Sequence, residues 1–306
     1  MSSSSHGFPP RKLPASQSGL RAGANSQDGQ KYILVTGSNK GIGRAICQKL
    51  LEEHDDVSVF LCSRDVQRGQ DAVKDIEKQV AKGKGRLTMI PLDTGSDESV
   101  QEAVGIVKQY TDSLYGIVNN AGVLLRGKVQ ESNNVNYFGP RRVNDAFLSM
   151  IPKGGRIVNI ASASGPIFVS GCPDPALCQK LSQPWTIQGG LDELDEIASE
   201  PTHCRNGDSY GFSKALVSAY TWLLAKDHPD LVINAVTPGY INTDMTQGMG
   251  ASNPPSKGAV PPVWLLMSQD LESVPTGRYY GSDCKRSPLD CYRGPGDPVY
   301  EGPDGK

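Results

Sequence analysis

From Lys31 to Asp283, short apolar runs alternate with longer stretches whose apolar residues recur every three or four positions. No other feature limits the fold as tightly. YILVTG (32–37), VSVFLCS (57–63), RLTMIPL (86–92), YGIVNNAG (115–122), GRIVNIAS (155–162) and LVINAVTPG (231–239) are short and rich in β-branched residues, so each is expected to be a buried strand. GIGRAICQKLLEEH, VQRGQDAVKDIEKQVA, DESVQEAVGIVKQY, VQESNNVNYFGPRRVNDAFLSMI and DSYGFSKALVSAYTWLLAK carry the helical period between them. Strands apolar on both sides need cover on both sides. The expected class is therefore α/β: a doubly wound, Rossmann-type parallel sheet with right-handed crossovers. GRYYGSD (277–283) would add a seventh strand.

A chain of 306 residues can bury a sizeable core, and we expect one domain over 30–285. Residues 1–29 and 286–306 are rich in Ser, Gly and Pro and poor in large apolar side chains, so both are expected to be disordered tails. The N-terminal stretch carries Arg11, Lys12 and Arg21 with no acid before Asp28, a pattern shared by organelle transit peptides. A plain tail on a cytoplasmic protein is the expectation. With 31 basic and 33 acidic residues and no basic stripe, a nucleic-acid partner is not expected. No apolar run reaches the length of a membrane span. The seven cysteines lack C-x-x-C spacing and the four histidines form no ligand pattern, so reduced thiols and no metal site are expected.

The first strand runs directly into TGSNKGIG (36–43). Gly37 lets the chain turn off the strand, Gly41 lets backbone approach a phosphate, and Gly43 lets the helix pack close to the strand. With Ser38, Asn39, Lys40 and Ile42 they form a loop that opens a helix whose free N–H groups suit a pyrophosphate. Dinucleotide sites selective for NAD hold an acid about 20 residues past the last glycine. Here that position is Ser63, followed by Arg64. A guanidinium there can grip a 2′-phosphate, and Lys40 adds a second positive charge, so NADPH/NADP+ is the expected cofactor. The neighbouring Asp65 works against that choice.

In YGFSK, Tyr210 and Lys214 are one helical turn apart. Alone, that spacing is common by chance. It stands, however, with TGSNKGIG, LDT (92–94), NNAG (119–122), VNYFG (135–139), IVNIASASG (157–165) and PGYINTDM (238–245), in that order. This series, across about residues 31–285, resembles the short-chain dehydrogenase/reductase family, and most of all its monomeric NADPH-dependent carbonyl reductases. The related terpenoid and alkaloid ketone reductases are a near second.

The resemblance implies a role for each matching position. Tyr210 would be the proton donor and Lys214 its partner. Ser162 would hold the substrate oxygen, with Ser164 a lesser candidate. Asn136 would anchor a water in the proton relay. Asp93, beside Thr94, would contact the adenine. Asn120, Ala121 and Gly122 would line the adenosine side of the cofactor. Pro238, Gly239, Ile241 and Thr243 would lie beside the nicotinamide. Ala161 departs from the pattern, since many relatives carry a second serine there.

Carbonyl reduction needs hydride at carbon and a proton at oxygen. A free phenol, with a pKa of about 10, is a poor acid–base group near neutral pH. A cation one turn away is expected to lower it, by at most roughly three units for charges about 4 Å apart. Ser162 would donate to the carbonyl oxygen.

Ser162 and Tyr210 are separated by 47 residues, where many relatives have a dozen or so. The insertion, about 165–207, holds five prolines and is expected to be mostly loop, with one amphipathic helix in GGLDELDEIASE. In oligomeric relatives the tyrosine helix builds the subunit interface. The insertion is expected to cover that face and keep the chain a monomer. Its acids are expected to be solvated, and Cys172, Cys178 and Cys204 unreactive. Pocket walls are expected from Ile167–Ser170, Tyr240 and the Gly- and Pro-rich loop 244–260.

The expected function is NADPH-dependent reduction of small-molecule ketones, aldehydes or quinones. Two alternatives stand beside it: an NADP-dependent dehydrogenase of a cyclic, terpenoid or steroid-like alcohol, and a weakly catalytic NADPH sensor. Arg64→Asp is expected to move preference from NADPH towards NADH, measured as the ratio of kcat/KM for the two cofactors. An unchanged ratio would place the 2′-phosphate grip elsewhere.

Overall fold

The computed structural model describes residues 29–204, 207–270 and 274–303, so the expected N-terminal tail lies outside the described residues. The strands are β1 Lys31–Val35, β2 Val57–Ser63, β3 Leu87–Pro91, β4 Gly116–Asn119, β5 Arg156–Ile160, β6 Val232–Val236 and β7 Tyr279–Tyr280. They form one sheet in the order β3-β2-β1-β4-β5-β6-β7, with every pairing parallel. The expected doubly wound sheet is therefore present.

Side chains alternate across it as the pleat requires. Tyr32 and Leu34 of β1 join the core on one face, with Phe60 and Ile117. Ile33 and Val35 join the core on the other, with Val59, Leu61 and Val118. Leu34 lies in register with Phe60 on one side and Ile117 on the other. The strands expected at β1, β4, β5 and β6 run two or three residues past the observed ends, because TG, NAG, AS and TPG have already left the sheet to build loops.

The helices are α1 Gly41–Glu53, α2 Val66–Gln79, α3 Asp97–Val107, α4 Val129–Asn136, α5 Phe138–Phe147, α6 Ser164–Ser170, α7 Pro175–Ser182, α8 Gly190–Ser199, α9 Ser209–Asp227, α10 Pro255–Gly258 and α11 Val260–Met267. Local chemistry starts several of them. Asp65 caps α2 by accepting from Arg68 N, and Ser96 caps α3 by accepting from Ser99 N. No described helix is long and apolar enough to cross a membrane.

Three expectations are corrected here. First, 129–151 is not one helix: it breaks at Tyr137, between α4 and α5. Second, the insertion is mostly helical (α6, α7 and α8). Pro175 opens α7 rather than breaking it, because the first helical position has no use for an N–H, and Asp174 caps that start by accepting from Ala176 N and Leu177 N.

Third, residues 286–303 are not a loose tail. Arg293 is only 9% exposed and makes a bidentate pair with Asp283 at 3.0 and 2.7 Å. It also donates to the carbonyls of Pro298 and Asp297. Ser287 N donates to Tyr279 O of β7, and the Arg286 guanidinium stacks 4.9 Å from the Tyr300 ring centre. Apolar composition misses such a segment because one buried guanidinium with four acceptors does the ordering.

Asp283→Ala should lower unfolding free energy by about 3 kcal/mol in a denaturant titration, because it strands a guanidinium whose side chain is only 5% exposed. A change below the error of the titration would mean the segment contributes nothing to global stability.

Candidate active site

In a sheet wound this way, the crevice opens beyond the carboxyl ends of the strands, where the winding reverses between β1 and β4. The glycine loop and the NNAG segment meet there. The Thr36 hydroxyl accepts from the N–H groups of Asn120 and Ala121, each at 3.0 Å. The Asn120 amide donates back to Thr36 O at 2.9 Å and Gly37 O at 3.1 Å. Two glycines are forced by this contact. Gly37 has φ +61°, and a Cβ there would sit 2.8 Å from Ala121 Cα. A Cβ on Gly43 would sit 2.4 Å from the Asn120 amide nitrogen. Thr36 is the member of this knot that sequence reasoning missed, and its place beside Gly37 was the available signal.

The other expected cofactor residues fall around this knot. Gly41 (φ +57°) opens α1, with Thr243 packed 3.4 Å from where its Cβ would be. Asn39 lies in the same loop, and Ile42 packs against Gly258. Lys40 reaches across to Asp244 at 2.6 Å, an exposed pair. Ser38 does not face the crevice. It is fully buried, its N–H donates to Cys62 O, and its hydroxyl donates to Val35 O at 2.7 Å, so no donor remains for a ligand.

Arg64 lies exposed just past β2. Asp65 beside it turns its carboxylate onto its own helix, accepting from Arg68 N at 3.0 Å and pairing with Arg68 Nε at 3.3 Å. Asp93, just past β3, accepts from Gly95 N at 2.9 Å. Thr94 is buried beneath Gly139 and away from the crevice. Gly239 has φ +90° and abuts Ser282, so the segment Pro238–Thr243 is braced by the C-terminal region. Ile241 is buried.

The expected catalytic residues come together from three elements. Ser162 follows β5, and its hydroxyl hydrogen-bonds with Tyr210 in the first turn of α9. Lys214, one turn on and 4% exposed, donates to Ile160 O at 2.7 Å, with its ammonium 5.8 Å from the Tyr210 ring centre. Asn136, at the end of α4, is also buried. Its Oδ1 accepts from Val123 N, and its Nδ2 donates to Val123 O and Ser213 Oγ. A Cβ on Gly122 would lie 3.3 Å from Asn136 Oδ1 and 3.7 Å from Lys214 Nζ, so all three border one space.

Burial sets the electrostatics. It lowers the Lys214 pKa to about 8, so the ammonium persists at neutral pH. It also pushes the Tyr210 phenol up; the hydrogen bond with Ser162 opposes that and the Asp208 charge adds to it. This corrects the expectation of a phenol lowered by Lys214. The lysine points its donor at Ile160 O rather than at the hydroxyl, so loss of solvation dominates.

A cleft of about 230 Å³ opens onto Ser162 and Tyr210, walled by Tyr240, Met245 and Met249 on one side and by Leu124, Arg126 and Asp208 on the other. Tyr240 and the 244–260 loop were expected. Ile167–Ser170 were expected but do not line it, because α6 turns Phe168 and Val169 into the core against α9. Leu124, Arg126 and Asp208 were missed; the Asp at the N-cap of α9, accepting from Gly211 N, was the readable one. Cys178 in the insertion has its thiol pushed up to about 11, chiefly by burial. Among the described residues, no group of His, Cys, Asp and Glu is disposed to hold a metal.

The short chain dehydrogenase family model matches residues 31–172. The (+)-neomenthol dehydrogenase of Arabidopsis thaliana is 30% identical over 293 residues, covering 83% of this chain and 97% of that protein. The chain belongs to the short-chain dehydrogenase/reductase family. The carbonyl reductase (NADPH) 1 of Rattus norvegicus is 28% identical, covering 80% of this chain and 94% of that protein. Among solved structures, the salutaridine reductase of Papaver somniferum superposes with a TM-score of 0.72 at 23% identity, over 82% of this chain and 99% of that one. At that identity the likeness concerns the fold alone. This member of the family is an oxidoreductase.

Lys214 gives a pH test of the site. Its folded pKa lies below the unfolded value of about 10.4, so between pH 8 and 10.5 the unfolded chain binds more protons at this group and stability rises with pH. The stability of the protein minus that of Lys214→Met should increase across that window, by on the order of 3 kcal/mol. A flat difference would mean the ammonium is not buried as described.

Proposed function

We propose that this chain is an NADPH-dependent carbonyl reductase, acting on small-molecule ketones, aldehydes or quinones. The observation that carries the reading is that Ser162 and Tyr210 line one cleft, with the buried Lys214 ammonium 5.8 Å from the Tyr210 ring centre, beside a glycine cradle that side chains would fill.

The residues present fit NADP. The Gly37–Gly43 loop and the start of α1 would hold the pyrophosphate. Arg64 and Lys40 would meet the 2′-phosphate, and the turning away of Asp65 removes an objection to that choice. Asp93 and Asn120–Gly122 would border the adenosine, and Pro238–Thr243 the nicotinamide. The name of the rat relative, carbonyl reductase (NADPH) 1, supports the same cofactor.

When bound, NADPH supplies the hydride. Ser162 donates a hydrogen bond to the substrate carbonyl oxygen and holds it at Tyr210. Tyr210 gives that oxygen its proton; burial makes the phenol a weaker acid, a cost that a cation beside it offsets as the phenolate develops. Lys214 keeps a positive charge beside the developing phenolate, and the one hydrogen bond described for its ammonium goes to Ile160 O, leaving donors for ribose hydroxyls. Tyr240, Met245 and Met249, all exposed, offer the substrate an apolar wall of the cleft.

The same site run in reverse is an NADP-dependent alcohol dehydrogenase, a reading favoured by the neomenthol dehydrogenase likeness. We further propose a cytoplasmic monomer. In support, α7 and α8 pack on α9 with Leu177, Leu181, Leu194 and Ile197 buried, which covers the face of the tyrosine helix.

Tyr210→Phe should lower NADPH oxidation at least about a thousandfold against a panel of quinones, aldehydes and cyclic ketones, while NADPH affinity by fluorescence stays within a few fold. A phenylalanine variant of near-normal activity would remove the proton-donor role.

A further inference from the structure

The stretch 129–151 has a helical period throughout, yet the helix ends at Asn136 and restarts at Phe138, with Tyr137 at φ −110°, ψ −60°. Pro140 accounts for the break. It has no N–H for the carbonyl of Asn136, four residues before it, and its ring would crowd that carbonyl in a continuous helix. A broken helix is held less firmly than an intact one, and this break follows directly on Asn136, which shares the space beside Gly122 with Lys214.

The break is clamped from outside, by the insertion. The Tyr137 hydroxyl, on a fully buried side chain, donates to Asp195 Oδ1 at 2.6 Å. Arg141 Nε donates to Asp195 Oδ2 at 2.8 Å, with both side chains largely buried. One turn before the break, the Asn133 amide donates to Ala198 O at 2.7 Å. Asp195 thus holds the break residue itself with one carboxylate oxygen and the first turn of α5 with the other, while α8 grips α4 through Ala198 O. It stands apart from its neighbour Glu193, which pairs with Lys180 and caps the backbone at Gly189 within the insertion itself.

We propose that Asp195 is a positioning residue: from α8 it holds the α4–α5 break closed, and so fixes Asn136 at the space beside Gly122 that it shares with Lys214. This rests on the reading of Tyr210, Lys214 and Asn136 as the proton-handling end of the site. It gives the insertion a second task besides covering α9. Without the carboxylate, Tyr137 keeps a buried hydroxyl with no acceptor and Arg141 an unpaired charge, and the break relaxes where the proton path needs order.

The test compares Asp195→Ala, Tyr137→Phe and Asp195→Asn with Lys180→Met, which cuts an insertion contact that does not touch α4. Asp195→Ala should lower kcat between roughly tenfold and a hundredfold with the KM for NADPH nearly unchanged. Its ratio of kcat in water to kcat in deuterium oxide should rise, because proton delivery becomes the slower step. Tyr137→Phe should shift both in the same direction. Asp195→Asn keeps an acceptor for Tyr137 and should recover most of the loss, and Lys180→Met should match the parent protein.

A wild-type kcat in Asp195→Ala would overturn the proposal. So would a fall in kcat with an unchanged solvent isotope ratio, since a smaller folded fraction scales both rates equally. An active Tyr210→Phe variant, made in parallel, would instead remove the proposed function, so the two failures are told apart.

Discussion

The site is organised by one buried charge. Lys214 places an ammonium beneath the crevice and spends a donor on the carbonyl that ends β5. That bond ties α9 to the sheet edge where Ser162 leaves it, and so brings Tyr210 into hydrogen-bonding reach of Ser162. A lysine in so dry a place costs stability, as its pKa near 8 records. The surroundings accept that cost because α9 is apolar nearly all round and wedged between sheet and insertion. Phe212, Leu216, Tyr220 and Leu223 share one core with Leu181 and Leu194.

A second level of order lies behind the strand ends. Asn119 donates to both Asn144 and Asn159, Asn144 donates to Tyr220, and Asn159 donates to Thr221, each at 2.9 Å. These buried polar groups join β4 and β5 to α5 and α9, among them the strand that leads to Ser162 and the helix that carries Tyr210 and Lys214. The Asn119 side-chain carbonyl oxygen is buried without a hydrogen-bond partner, but each bond that the network does make accepts only one geometry and so adds rigidity. Tyr220 belongs to this network and is fully buried.

Much of this was legible from residue order. Strand–glycine–helix at 32–53, apolar runs with no polar face, and the spacing of Tyr210 and Lys214 all reflect local chemistry, and the structure places each where its pattern implied. Legibility failed where distant residues decide. The run 129–151 reads as one helix because periodicity does not register a proline's effect on the carbonyl four residues back. The acids of 189–200 read as a solvated face, since nothing local says that Asp195 will meet Tyr137 and Arg141. Residues 286–303 read as a tail, since composition counts apolar side chains and this segment is ordered by Arg293.

Sequence by itself determined the fold class, which rests on periodicity, and it marked the glycine loop, Ser162, Tyr210 and Lys214 as candidates through motifs that follow one another in the family's order. Tertiary structure alone decided which groups are dry, and with that the directions of the Tyr210 and Lys214 shifts. It also decided that Ser38 turns inward, that α6 leaves the cleft wall, and that the insertion grips α4. Solvation and long-range contact depend on what the rest of the chain places nearby, and no local window of residues contains that information.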